Sequence, residues 1–218
     1  MQRFTLIHDG SDQGWQAAYL AFHVAAQLGA PLLVLLVDST TDKKILAQRA
    51  TQVEVGGRAA GVVIGTRIVV DFSVNLVMEN VAASDGLFVP RRLVPDGRTA
   101  LRFLEALSCP IWVVSREAKT HKLAVLVNDL VTNAKLFSFT QALSNRLQHS
   151  LTGLISEAKL SSVSRDEAIS TWIPLPDNSA REITTALDQN DIDILFVPIS
   201  RSALIKDLSS NCVLCPFP

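Results

Sequence analysis

Leu87-Phe88-Val89-Pro90 and Leu195-Phe196-Val197-Pro198 are the same tetrapeptide, and each is followed at short range by a cysteine-led apolar run. Those runs are Cys109-Pro110-Ile111-Trp112-Val113-Val114 and Cys212-Val213-Leu214-Cys215-Pro216-Phe217. Upstream, Phe4-Thr5-Leu6-Ile7-His8-Asp9 matches Leu123-Ala124-Val125-Leu126-Val127-Asn128. Self-similarity of this kind constrains everything else, because both copies must fold by the same rules. The offset between matched positions shrinks from 119 at Asp9/Asn128 to 108 at Pro90/Pro198 and 103 at Cys109/Cys212. The second copy is therefore the shorter, with about eleven residues deleted before its fourth strand and about five after it. A length of 218 residues alone allows one large domain or two small ones. The repeat predicts two: residues 1–116, and a shortened unit at 120–218 behind a short polar junction at Arg116-Glu117-Ala118-Lys119-Thr120.

Within the first copy, apolar runs of strand length alternate with helical periods. Residues 4–8 lead into Asp9-Gly10-Ser11, where Ser11 is placed to cap a helix striped by Trp15, Ala18, Phe22, Ala25 and Ala26 and ended by Gly29. Strands follow at Leu32–Val37, Val62–Val70, Leu87–Val89 and Ile111–Val114. The helices between them are expected at Asp42–Ala60, Val74–Ala83 and Arg98–Leu107. Gly56-Gly57 is expected to break or bend the second helix, and Gly61-x3-Gly65 to mark a helix end and a strand irregularity. The second copy repeats the order with strands at 123–127, 150–155, 170–174, 193–197 and 212–217 and helices at 131–147, 179–189 and 202–208. Its second helix is missing, replaced by the Ser-rich, charged stretch Glu157–Glu167. Continuously apolar strands joined through helices imply α/β units, each a doubly wound parallel sheet.

Composition removes several function classes. The chain is 48% hydrophobic, 6% aromatic and 19% charged, which is the balance of a folded protein. Its 20 Lys and Arg against 21 Asp and Glu leave a formal charge of -1, so the basic footprint of a nucleic-acid binder is missing. The most apolar stretch, Leu32–Val37, is too short to span a bilayer, and the N-terminus has no signal-peptide apolar region. No nucleic-acid or membrane partner is expected, and a cytoplasmic location is. Three cysteines, Cys109, Cys212 and Cys215, suit a reducing compartment, and Cys212-x2-Cys215 reads as buried small hydrophobes in an apolar run.

The order strand, Asp9-Gly10-Ser11, alanine-rich helix, Leu28-Gly29-Ala30, followed at the other end by a glycine-led helix and Cys109-Pro110, resembles a universal stress protein domain. Because both halves carry the order, the chain resembles a tandem member of that family. The resemblance implies an adenine-nucleotide site over the carboxyl ends of the strands. There an acid after strand one meets the adenosine, and a loop of pattern Gly-x2-Gly-x9-Gly-Ser/Thr wraps the phosphates with backbone N–H groups. Carried over, Asp9 is the adenosine-side acid, with Gly10 and Ser11 in its turn, and Gly97 is the last glycine of the loop. Pro90, however, stands at the first glycine, and Arg98 follows Gly97 where Ser or Thr belongs, with Thr99 one step on. Pro90 to Gly97 is seven positions where the pattern needs thirteen. Arg91, Arg92 and Arg98 offer guanidinium donors in place of the lost amides. The second copy has Asn128 for the acid and no glycine between Pro198 and Cys212, so no phosphate loop is expected there.

Other chemistry has little footing. His8, His23, His121 and His149 show no metal-ligand spacing, and no metal site is expected. His8 reads as a structural histidine at the ligand edge whose pKa its neighbour Asp9 raises, and His23 as packing on a helix. Neither a GxSxG elbow, a GxxxxGK loop nor a receiver-type acid pair is present. The resemblance also implies pairing of the two fifth strands as an internal pseudo-dimer, with Pro216 and Pro218 stopping the pairing early. Whether two chains associate further into a homodimer stays open. The function expected is that of a stress-related regulatory or protein-interaction module with an unidentified protein partner, and not an enzyme. The alternative is a sensor binding ATP or AMP in the first domain alone.

Overall fold

A computed structural model describes residues 3–37, 42–69, 72–81, 86–94, 102–103, 105–118, 122–128, 132–162 and 169–217. The first half runs β1 (Phe4–His8), α1 (Asp12–Leu28), β2 (Leu32–Val37), α2 (Lys43–Ala59), β3 (Ile64–Val69), α3 (Val74–Asn80), β4 (Gly86–Pro90) and β5 (Ile111–Val114). In the second half come β6 (Leu123–Val127), α4 (Ala134–Leu147), β7 (Leu151–Ser156), β8 (Thr171–Leu175), α5 (Ala180–Gln189), β9 (Ile194–Pro198) and β10 (Asn211–Cys215). Short 3-10 segments occupy Arg91–Leu93, Glu157–Ser162 and Ile199–Asp207.

Local chemistry sets these boundaries. Ser11 Oγ accepts the Gly14 N–H at 3.0 Å and starts α1. At its other end Gly29, at φ 61°, turns left-handed and returns its N–H to the Ala25 and Ala26 carbonyls. Strands β1, β4, β5, β6, β9 and β10 are buried along their whole length, so both faces are covered, as their unbroken apolar sequences require.

All ten strands form one sheet in the order β3-β2-β1-β4-β5-β10-β9-β6-β7-β8. Among the described residues, pairing is parallel within each half, and one antiparallel contact joins the halves, matching Ile111 to Leu214, Trp112 to Val213 and Val113 to Cys212. This is the doubly wound parallel architecture expected, twice over, with the fifth strands paired. One apolar layer, containing Phe4, Phe22, Val53, Trp112, Leu136 and Phe196, seats α1, α2 and α4. The opposite layer, containing Val77, Phe103, Val113, Ile183 and Leu214, seats α3 and α5. Each layer draws residues from both halves. Asn211, buried at the start of β10, holds the seam's polar end: its Oδ1 accepts the N–H of Ser115 at 2.8 Å and of Arg116 at 3.0 Å.

Some expectations need correction. Of the break or bend expected at Gly56-Gly57, the break does not occur, since α2 continues to Ala59. A Cβ on Gly57 would fall 1.6 Å from Ile64 Cδ1, so this glycine serves close helix-to-strand packing. Gly65 causes no irregularity either; it keeps regular register opposite Leu33, while Gly61, at φ 77°, does mark the end of α2. Strand β10 stops at Cys215 instead of 217, ahead of Pro216, which has no N–H to donate. The segment read as a helix at 202–208 is the 3-10 stretch Ile199–Asp207. Between β7 and β8 the Glu157–Ser162 turn stands in the place of a second helix, and residues 163–168 lie outside the described set. Trp172 on β8 lies over Gly153, where a Cβ would sit 2.3 Å from its ring.

Removing the Asn211 acceptor leaves two backbone donors unpaired at the seam. Asn211→Ala is expected to lower unfolding stability by about 2 kcal/mol or more, read as a reduced urea midpoint with an unchanged slope.

Candidate functional site

The carboxyl ends of β1 and β4 bring Asp9, Gly10, Ser11 and Arg92 together. Asp9 is 6% exposed. Its Oδ1 accepts from the Ser11 N–H at 3.1 Å and the Ser11 hydroxyl at 2.6 Å. Gly14, on the first turn of α1, makes this possible, since a Cβ there would lie 2.6 Å from Asp9 Oδ1. Oδ2 of Asp9 forms a salt bridge with Arg92 Nε at 3.0 Å. Gln13 fastens the same corner: its Oε1 accepts the Arg92 N–H at 3.0 Å and its Nε2 donates to the Ser115 carbonyl at 3.4 Å.

The other side of the turn is covered by Arg49 of α2. Gly10, at φ 75°, has no side chain, and the Arg49 guanidinium occupies that space, 2.3 Å from where a Cβ would be. Its Nη1 is buried without a hydrogen-bond partner. Arg49 and Gln13 were not singled out in the sequence, because nothing in linear spacing ties a residue of α2 or a helix-start glutamine to the turn after β1.

Of the three arginines expected to cluster, the described two, Arg91 and Arg92, have different partners. Arg92 is on Asp9, while half-buried Arg91 has Asp207 and the buried Cys212 thiol as neighbours, across the seam. Burial lowers the Arg91 pKa, with Cys212 and Asp207 opposing. Gly97, Arg98 and Thr99 lie outside the described residues. At the equivalent turn of the second half, the Asn128 N–H donates to Asn133 Oδ1 at 2.9 Å, and Asn178 Nδ2 reaches Asn128 Oδ1 at 3.5 Å. Amides there replace the arginine and carboxylate of the first half. Surface depressions of about 230 Å³ beside His23 and about 370 Å³ between α1 and α2 are lined by none of Asp9, Gly10 or Ser11.

His8 corrects its sequence reading. The Gly10 N–H donates to Nδ1 at 3.0 Å, which places the ring proton on Nε2, and the Trp15 ring meets the imidazole edge-on at 4.5 Å. Desolvation outweighs the raising influence of Asp9, and with Arg49 adding to the lowering the pKa falls from 6.5 to about 4. Cys212 and Cys215, three apart on one strand, point to opposite faces and enter opposite core layers. They cannot form a redox or metal pair. Burial pushes the Cys212 thiol up to about 11 and raises Cys215 further.

No family model matches the sequence, and no curated protein matches it. Solved structures do. A universal stress protein from Archaeoglobus fulgidus superposes with a TM-score of 0.66 at 12% identity, covering 98% of this chain and 98% of that one. A functionally unknown protein from Pseudomonas aeruginosa gives 0.67 at 12% identity, over 99% of this chain and 92% of the other. The cytoplasmic domain of a prokaryotic cation chloride cotransporter gives 0.54 at 12% identity, over 98% and 95%. At such identities the likeness is one of fold. The fold is that of universal stress protein units in tandem, as the sequence resemblance implied.

Two outcomes follow from the buried groups. The folded protein disfavours His8 protonation, so stability is fully present above pH 6.5 and is lost as the pH falls toward 4, by up to about 3 kcal/mol. In denaturant titrations across that window, His8→Gln is expected to flatten the slope by up to one proton. The thiols of Cys109, Cys212 and Cys215 are expected to stay unreactive toward a disulfide reagent at pH 8 in the native state and to react once the chain is unfolded.

Proposed function

We propose that this chain is a stress-related regulatory or protein-interaction module of the universal stress type, built from units 1–116 and 120–218. On this reading it catalyses no reaction and does not hold ATP through the family's usual loop. The observation that carries the proposal is the internal capture of Asp9: the carboxylate that would meet adenosine is salt-bridged to Arg92 and bonded to Ser11. A ligand would have to displace the exposed Arg92 guanidinium from the buried Asp9 carboxylate, where an uncompensated charge is costly. Arg49 over Gly10 and the lost loop glycines add to it. The second unit, with Asn128 for the acid, has no phosphate loop and acts as the partner in an internal pseudo-dimer. A protein partner in the cytoplasm fits the near-neutral charge and the absence, among the described helices, of one long and apolar enough to cross a membrane. The same fold serves as the cytoplasmic domain of a cation chloride cotransporter, a use that supports a module acting through contacts.

One observation favours a second reading, an adenine-nucleotide sensor confined to the first unit. The unpaired Nη1 of Arg49 is a cationic donor lying against Gly10. With Asp9, Gly10 and Ser11, and with Arg91, Arg92, Gly97, Arg98 and Thr99 on the loop, it would face the phosphates of ATP or AMP.

Calorimetric titration with ATP and with AMP separates the two. The module reading expects dissociation constants above about 1 mM, less than about 4 kcal/mol of binding. Micromolar binding abolished by Asp9→Ala would establish the sensor instead.

A further inference from the structure

His23 and His149 are 126 positions apart, yet their Nε2 atoms are 3.4 Å from each other. His23 lies on α1 of the first half. His149 follows α4 of the second half and is locked there by its own backbone, whose N–H donates to the Ser144 carbonyl at 3.1 Å and whose carbonyl accepts from Ser144 Oγ at 2.5 Å. The ring planes differ by 9° and the centroids are 5.7 Å apart, so the two nitrogens face one another nearly head-on. Along the same seam, Arg146 Nη2 donates to the Leu28 carbonyl at 3.2 Å. Both imidazoles are half-buried, His23 on α1 and His149 just beyond the end of α4, and those two helices pack together across the two halves.

We propose that this pair binds a divalent transition-metal ion of the zinc class, which staples the first half to the second. A tetrahedral zinc ion bonds imidazole nitrogen at about 2.0–2.1 Å, which sets two such nitrogens about 3.3–3.4 Å apart. The separation is already the one required. What changes on binding is direction: each ring turns toward solvent so that both lone pairs converge off the line between them. Space exists for this, because His23 borders the depression of about 230 Å³ whose walls include Gln16, Tyr19 and Glu117. Among the described residues no three His, Cys, Asp or Glu side chains converge, so water completes the coordination, and Glu117, on the wall of the depression beside His23, is the carboxylate placed to order it. Both imidazoles must be neutral, with their ring protons on Nδ1, to donate to the ion.

Titration of the full chain with zinc chloride alone at neutral pH is expected to show one ion per chain at micromolar affinity. His23→Ala and His149→Ala should each weaken binding by at least about tenfold, and Glu117→Gln by less. Cobalt in place of zinc should give the visible bands of a four-coordinate nitrogen and oxygen site without a thiolate band in the near ultraviolet. Circular dichroism reports whether the variants fold; if an alanine variant does not, His23→Gln and His149→Gln carry the same test. Absence of saturable binding, affinity retained in both histidine variants, or a thiolate band overturns the proposal.

Discussion

The antiparallel contact between β5 and β10 is the constraint on which the rest of the molecule depends. Each half alone would end in an open strand edge, with a row of unpaired N–H and C=O groups. Joining the two edges converts two five-stranded sheets into one and leaves only β3 and β8 at the margins. Pro174 in β8 blunts the second of these. The seam is also where the largest apolar group is used. Trp112 stacks on Phe88 of its own half at 4.9 Å and meets Phe196 of the other half edge-on at 5.9 Å. Hydrogen bonding and aromatic packing thus coincide at one place, and both core layers run through it without interruption.

Antiparallel joining has a second effect, on where chemistry can occur. Strand ends that open a site in one half lie beside strand starts of the other. The corner after β1, β4 and β5 is therefore bordered by Ser210 and Asn211, whose groups are spent on Ser115 and Arg116. In the first half several polar groups of this corner bind one another: Asp9 with Ser11 and Arg92, Gln13 with Arg92 and Ser115. Among the described residues at this edge, the buried Nη1 atoms of Arg49 and Arg91 stay without a hydrogen-bond partner.

Much of this was legible in the residues. The duplicated Leu-Phe-Val-Pro segments mark β4 and β9, and the cysteine-led runs mark the strands of the seam, because buried parallel strands need unbroken apolar runs. Ser11 and Gly29 announced the ends of α1 through capping chemistry that is local in sequence. Gly56-Gly57 misled for the converse reason. Helix propensity treats glycine as a break, but here Ile64 and Phe22 press on the bare backbone and tertiary packing overrides propensity. His8 misled similarly: its covalent neighbour Asp9 suggested a raised pKa, whereas burial, a property of the whole fold, lowers it.

Sequence by itself determined the fold class, the doubling, the shorter second copy and the turn at Asp9-Gly10-Ser11, since each depends on hydrophobic period, capping or glycine within a few residues. Tertiary structure alone decided which arginine takes Asp9, that Arg49 fills the hollow at Gly10, and that His23 and His149 meet. Those contacts join residues separated by up to 126 positions. The physical reason is that side-chain charges and lone pairs act over a few ångströms of space, and only the docking of helices onto a shared sheet brings such distant residues within that reach.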